Sequence, residues 1–204
     1  MARVAVFVGS LRRDSINRKL AQALAKLAAP RGLDLQLVEL ADLPHYNDDL
    51  WAAPAGAPPA VLRLKRTVEE ADAVLFVTPE YNRSIPGLLK DVIDWASRPW
   101  GKNSWTGKPG AIAGASGGKI GTAVAQSQIR SSLVVLDVAL MGQPEAYVQV
   151  TPGLIDADFN LTDESVEKFL TGFVAAFADW IGKISGVVPE PGQPDVAPVI
   201  EKAA

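Results

Sequence analysis

The chain contains no cysteine and one histidine, His45. The first absence removes disulfides, thiolate nucleophiles and every cysteine-ligated zinc or iron–sulfur site. The second makes a multi-histidine metal centre impossible. Carboxylate-held Mg²⁺ or Ca²⁺ is the remaining metal chemistry, and no Asp/Glu cluster has the spacing of a calcium loop, so no metal site is expected. A large charge of either sign is missing too. The 20 Lys+Arg against 23 Asp+Glu leave a formal −3, which provides no broad basic face, and no nucleic-acid partner is expected. No window reaches the roughly 18 apolar residues of a membrane helix. The apolar run at Val4–Val8 is too short for a signal-peptide core. The expected location is the cytoplasm, without membrane insertion. Two familiar phosphate-loop patterns, G-x-G-x-x-G and G-x-x-x-x-G-K-[ST], are also absent.

What is present alternates between strand and helix. A length of 204 residues suits one domain with a full core. Val4–Val8 is a short β-branched run ending at Gly9, and Ser15–Leu27 follows with helical spacing of Ile16, Leu20, Ala23, Leu24 and Leu27. A second strand is expected over Leu33–Leu40, a Pro- and Ala-rich loop over Leu43–Pro59 and a helix over Ala60–Ala71. Ala73–Thr78 is apolar on both faces, as a central strand covered by helices must be. Pro86 starts a helix carrying Leu88, Leu89, Val92, Ile93 and Trp95. Gly110–Ala115 reads as a small-residue strand, Lys119–Leu136 as a helix and Ala146–Val150 as a last strand. Thr162 is placed to cap a long amphipathic helix ending near Ile184, with Asp163 and Glu164 in its first turn. Five strands alternating with five helices imply an α/β sandwich around a parallel sheet. The organisation is a domain over 1–185 and a Pro-rich, extended C-terminal tail over 186–204.

Ligands of open α/β sheets bind beyond the carboxyl ends of the strands, and three loops there are unusual. Gly9–Arg18 places Ser10, Ser15 and Asn17 beside a helix N-terminus, with Arg12, Arg13 and Arg18 nearby. Free N–H groups, the helix dipole and this local positive charge suit a phosphate monoester. Thr78–Gly87 is stiffened by Pro79 and Pro86 and offers the flat face of Tyr81 and the amide of Asn82 to a planar heterocycle. Gly114–Gly121 is glycine-rich, so its backbone N–H groups can approach a ligand closely and stabilise negative charge on a reduced ring.

These residues carry a resemblance. Gly9-Ser10-x-Arg12-x-x-Ser15-x-Asn17, the stretch from Pro79-Glu80-Tyr81-Asn82 through Asp94-Trp95, and Ser116-Gly117-Gly118 occur in order. Together they resemble the NADPH-dependent FMN reductase family, especially its bacterial quinone and chromate reductase branch, from about Arg3 to Ile184. The resemblance implies a flavodoxin-like three-layer sandwich with a five-stranded parallel sheet of order 2-1-3-4-5. It implies FMN as cofactor and NADPH or NADH as co-substrate. Hydride would pass through flavin N5 to small acceptors: quinones, chromate, azo compounds or free flavin. Ser10, Arg12, Ser15, Ile16 and Asn17 would hold the phosphate end. Pro79, Glu80, Tyr81 and Asn82 would line the isoalloxazine, and Ser116, Gly117 and Gly118 would approach its far edge. No protein acid or base is implied, because the flavin carries the reaction. A homodimer or homotetramer is implied as well, with Arg130 and Glu145 pairing across subunits. Two positions depart from the family pattern. Ser127, in the run Ala125-Gln126-Ser127-Gln128-Ile129-Arg130, stands where a tyrosine is common, and Asp91 stands where an asparagine is frequent.

Gly114-Ala115-Ser116-Gly117-Gly118 also fits G-x-S-x-G, the nucleophile elbow of α/β-hydrolases. That triad needs a histidine after the serine, and His45 precedes it, which argues against a hydrolase. A flavin-binding electron carrier or redox sensor with little turnover is the stronger rival, although flavodoxins are usually more acidic than this chain. His45 is expected to be a solvated loop residue, and Trp95 and Trp180 to be core. Trp100 and Trp105, in a loop with Lys102 and Lys108, are expected at an interface, with the rim of the flavin pocket as the second reading.

Overall fold

The computed structural model describes residues 1–53 and 56–187. Its strands are β1 (Ala2–Val8), β2 (Leu33–Leu37), β3 (Ala73–Val77), β4 (Pro109–Ser116), β5 (Ala139–Leu140) and β6 (Ala146–Gln149). Its helices are α1 (Ile16–Ala28), α2 (Asp49–Ala52), α3 (Pro59–Glu70), α4 (Gly87–Ala96), α5 (Ala123–Val134) and α6 (Glu164–Ser185). The sheet runs in the order β2-β1-β3-β4-β5, with β6 also paired to β4 and every pairing parallel. This is the flavodoxin-like arrangement, with one strand more than the sequence suggests. The fifth sheet position is divided. Pro109 and Gly110 pair with β5, Ala113–Ser116 pair with β6, and Met141–Glu145 interrupts them. A two-residue strand is too short to leave a periodic signal.

The strands sort their side chains by pleat. Val4, Val6 and Val8 of β1 join Leu75 and Val77 against Leu20 and Leu24 of α1 and Phe173 and Phe177 of α6. Ala5 and Phe7, with Val74, Phe76 and Ile112, face α3, α4 and α5. Period-2 alternation therefore feeds two cores rather than one core and solvent, and each large apolar side chain contributes roughly 1.5–3 kcal/mol by leaving water. A polar pair also fastens α1. Lys26 Nζ donates to Asp158 O at 2.7 Å and to Asn160 Oδ1 at 2.6 Å, tying its last turn to the loop before α6.

Local readings shift in ways that the contacts explain. β2 stops at Leu37, short of Leu40, and α2 occupies part of the expected long loop. α5 begins at Ala123 because Gly121 takes φ +62° in the preceding turn. The cap of α6 is Asp163, which accepts from Ser165 N at 2.9 Å and Val166 N at 3.1 Å. The Thr162 hydroxyl instead donates to Gly153 O at 2.8 Å. Trp95 is fully buried, and Trp180 is partly buried with its indole N–H donating to Ala139 O at 2.7 Å. The tail expected over 186–204 lies, from residue 188 onward, outside the described residues.

Trp105 is a correction: it is core, not interface. Its ring is fully buried, 5.5 Å edge-on to Phe7 and 5.6 Å from Phe76, and its N–H donates to Ile93 O at 3.0 Å. Lys65 folds the loop inward. Its buried ammonium donates to Lys102 O at 2.8 Å, Ser104 Oγ at 2.6 Å and Ala96 O at 3.2 Å. Desolvation, opposed by Glu69, lowers the Lys65 pKa below the usual lysine value. Trp100, on the same loop, stays 89% exposed. Trp105→Ala is expected to cost about 3–5 kcal/mol of stability, and Trp100→Ala less than about 0.5 kcal/mol. Urea unfolding of both variants checks the contrast.

Candidate functional site

The sheet order sends β1 into α1 toward one face and β3 into α4 toward the other. The chain parts at the carboxyl ends of these neighbouring strands, and a crevice opens there. A cleft of about 180 Å³ occupies this point. Ser10, Arg12, Ser15, Ile16 and Asn17 line it from the first loop, Pro79, Glu80 and Tyr81 from the second, and Ser116 and Gly117 from the end of β4 onward. Ala115 completes the lining. Asn82 and Gly118 stand outside it.

The first loop is built on buried polar groups. Ser15 is the N-cap of α1, its hydroxyl accepting from Arg18 N at 3.2 Å. Ser10 Oγ accepts from Arg12 N at 3.4 Å. The buried Asn17 amide brackets one residue of β4: Oδ1 accepts from Ala115 N at 2.8 Å, and Nδ2 donates to Ala115 O at 2.9 Å. Ile16 and Asn17 keep the main-chain donors of the helix's first turn at the cleft. Gly9 is required for closeness rather than for a special turn. A Cβ there would sit 2.8 Å from Leu89 Cδ1 and 2.8 Å from Pro79 Cδ.

The second loop closes as a two-residue hairpin. Tyr81 N donates to Ser84 O at 3.2 Å and Ser84 N to Tyr81 O at 3.0 Å. Between them Asn82 and Arg83 take φ +53° and +61°. Asparagine tolerates that region, whereas for arginine it costs on the order of 1–2 kcal/mol, which outside contacts must offset. Glu80 Oε2 accepts from Val124 N at 3.0 Å and Ala125 N at 3.1 Å. Thr122, in the N-cap position of α5, makes no side-chain cap bond, so Glu80 performs that task from another loop. Gln128 of α5 bonds the far side of the hairpin. Sequence reading missed both links, because neither joins residues close in sequence.

At the third loop, a Cβ on Gly114 would collide with Thr122 Oγ1 and Thr78 O. A built Cβ on Gly117 meets nothing within 4 Å, so its main chain is open to a ligand. Ser116 Oγ accepts from Gly118 N at 3.1 Å, which turns the chain toward α5.

The comparisons with known proteins bear on this geometry. The model of the family described as NADPH-dependent FMN reductase matches residues 2–152. A 2-hydroxy-1,4-benzoquinone reductase of Burkholderia sp is 48% identical over 179 residues, 88% of this chain and 96% of the relative. A quinone reductase of Pseudomonas putida is 49% identical over 179 residues, 87% of this chain and 94% of the relative. Among solved structures, FerB, a flavoenzyme NAD(P)H:(acceptor) oxidoreductase from Paracoccus denitrificans, superposes with a TM-score of 0.85 at 53% identity, covering 90% of this chain and 99% of that one. The chain belongs to the NADPH-dependent FMN reductase family.

The cleft suits the cofactor of that family. Its first loop offers hydroxyl, guanidinium and main-chain N–H donors, the donor set for a phosphate dianion. The one carboxylate in the lining, Glu80, spends an oxygen on the α5 amides and lies 4.0 Å from Arg83 Nη1, so it does not oppose an anion there. The rest of the lining includes the aromatic ring of Tyr81, whose hydroxyl reaches to 3.5 Å from Ser10 Oγ, and the open backbone at Gly117. Among the described residues no group of three or more His, Cys, Asp or Glu is arranged to hold a metal, and no helix is long and apolar enough to cross a membrane.

One of the two departures from the family pattern, Asp91, finds partners within the chain, while Ser127 is exposed on α5. Asp91 accepts from Tyr46 N at 2.9 Å and lies 2.9 Å from His45 Nδ1, while the imidazole itself is 98% exposed. A carboxylate supplies two acceptors there, where an asparagine has one. Arg130 and Glu145 lie beside each other within the chain. The Arg130 Nε lies 3.8 Å from Glu145 Oε1, and Nη1 donates to Met141 O at 2.9 Å.

Glu80→Ala removes the cap of α5 and is expected to lower stability by about 1–2 kcal/mol, read from the urea midpoint. Tyr147 gives a pH signature. Burial, then the adjacent Glu145 carboxylate, push its pKa from 10.0 up to about 12. The folded chain therefore holds this proton more tightly than the unfolded one. The stability it contributes is whole below pH 10 and is lost as the pH rises toward 12. Phenolate absorbance during an alkaline titration checks this, with Tyr147→Phe removing the late step.

Proposed function

We propose that this chain is an FMN-dependent NAD(P)H oxidoreductase that reduces quinones, with chromate, azo compounds and free flavin as further acceptors of the same chemistry. The observation that carries the reading is one cleft at the sheet's crossover in which the hydroxyls and guanidinium of the first loop, the Tyr81 ring and the open backbone at Gly117 share one lining. The 48% and 49% identity to two quinone reductases over nearly their whole length supports it. When bound, FMN supplies N5 as the centre that takes hydride from NAD(P)H and gives two electrons to the acceptor.

The chain's own part is binding, orientation and electrostatics. Arg12, the hydroxyls of Ser10 and Ser15 and the first-turn N–H groups at Ile16 and Asn17 hold the phosphate. Pro79, Glu80, Tyr81 and Asn82 form one wall of the ring site. Ser116 and Gly117 bring main-chain groups to the far edge, where an N–H stabilises negative charge on the ring, and Gly118 holds that turn through its N–H to Ser116 Oγ. No side chain acts as acid or base on the acceptor in this reading. The protein acts in the cytoplasm as a homodimer or homotetramer. Trp100, Val134 and Val135 are 89%, 67% and 80% exposed. They lie on adjoining segments joined by Asn103 Nδ2 donating to Leu136 O at 2.8 Å, and they offer apolar area for such a contact.

An absorption spectrum of the purified protein, before and after anaerobic NADPH, followed by a benzoquinone assay, tests the reading. A flavin band that bleaches with NADPH and returns with quinone is the expected result. Absence of a flavin band together with failure to bind added FMN overturns it, and a bleached band without quinone turnover marks an electron carrier instead. Arg12→Ala is expected to raise the FMN dissociation constant about 10- to 150-fold, the worth of a charge-assisted hydrogen bond. Titration of apoprotein with FMN measures it.

A further inference from the structure

Gln128 is an exposed residue of α5 outside the cleft lining, yet its side chain makes three hydrogen bonds to one short turn. Its Oε1 accepts from Ser84 Oγ at 2.8 Å and from Ile85 N at 3.2 Å, while Nε2 donates to Arg83 O at 3.3 Å. Those three residues directly follow the Tyr81–Asn82 pair. On the other side of that pair, Glu80 is fixed to the first turn of the same helix. The hairpin is thus bolted to α5 at both ends, one residue before Tyr81 and two to four residues after it.

The turn needs the support. Two consecutive non-glycine residues with positive φ make it a conformation that persists only when its surroundings impose it. Tyr81 has little else to hold it. It is 50% exposed, and among the described residues its side chain makes one hydrogen bond, to Ser10 Oγ at 3.5 Å across the cleft. The position of the Tyr81 ring is therefore set by its backbone, and its backbone by α5.

We propose that Gln128 is a positioning residue of the flavin site, which with Glu80 sets where Tyr81 and Asn82 stand over the ring of FMN and so how an acceptor approaches it. The inference rests on the FMN reading above. The side chain required is an amide. The site needs an acceptor for a hydroxyl and an N–H and, from the same group, a donor for a carbonyl. Glutamate keeps the acceptors and loses the donor, and alanine loses all three.

The test uses the FMN-loaded enzyme and compares wild type with Gln128→Ala, Gln128→Glu and Ser84→Ala. In Gln128→Ala the fluorescence and visible circular dichroism of bound FMN change, because Tyr81 no longer holds its place against the ring. The KM for benzoquinone rises about three- to tenfold, the scale of one net hydrogen bond, with a smaller change in kcat. FMN affinity falls less than in Arg12→Ala, since the phosphate loop is untouched. Gln128→Glu recovers part of the loss. Ser84→Ala moves the same readouts in the same direction by less, and the Ser84→Ala/Gln128→Ala double variant is less than additive. Ser84→Ala also carries the test if Gln128→Ala fails to fold. A folded Gln128→Ala holoenzyme with unchanged flavin fluorescence and unchanged quinone KM overturns the assignment while the FMN reading stands. Failure of the wild type to bind FMN overturns both.

Discussion

The buried bracket between the Asn17 amide and the backbone of Ala115 fixes the distance across the cleft. It joins the first turn of α1 to the end of β4 through one side chain, with both of its polar atoms in use. Leaving either partner unpaired in that dry setting would cost about 1–3 kcal/mol, so the two loops hold one spacing. Gly9 and Gly114 serve the same end by a different means. Each sits where a side chain would push neighbouring loops apart, Gly9 against Leu89 and Pro79, Gly114 against Thr122 and the Thr78 carbonyl. Preorganisation here is a matter of backbone closeness, which suits a protein whose cofactor supplies the reactive atom.

Charge is arranged with equal economy. Glu80 would be an unwelcome carboxylate beside a phosphate, yet it is turned onto the α5 amides and complements that helix dipole. α5 is in this way tied to the second loop by Glu80 and Gln128 and to β6 by Gln126, which donates to Ala146 O at 2.9 Å. One helix thus ties the second loop of the cleft to β6. The three loops read one by one as independent turns form a single connected unit.

Much of the fold was legible before the structure, and the reasons are specific. β3, and β1 from Val4 onward, announce themselves as apolar runs rich in β-branched and aromatic residues, without charge on either face. α6 does so through the 3.6-residue recurrence of Leu170, Phe173, Val174, Phe177 and Ile181, all of which are buried. The first-loop residues that line the cleft were legible because a helix N-terminus beside a strand end has a local chemical signature. What escaped reading was non-local. β5 spans two residues and exists because Pro109 and Gly110 offer it a partner. Trp105 reads as an interface residue because its loop carries Lys102 and Lys108. It is core because Lys65, forty positions earlier in the chain, draws the loop inward.

By itself, the sequence determined the order of strands and helices, the three loops at the strand ends and the kind of chemistry they can hold. Those properties are set by periodicity, by turn-forming residues and by the missing cysteines and near-missing histidine, all local or compositional. Tertiary structure alone decided which polar groups come to line the cleft and which of them are consumed by the scaffold. Asn17 reads as a ligand-facing residue and spends both polar side-chain atoms on the main chain of β4, and Glu80 spends one of its oxygens on the main chain of α5. Hydrogen-bonding capacity is finite, and the partner that claims it is chosen by which segments the fold brings within 3 Å or so, a choice that no stretch of sequence encodes on its own.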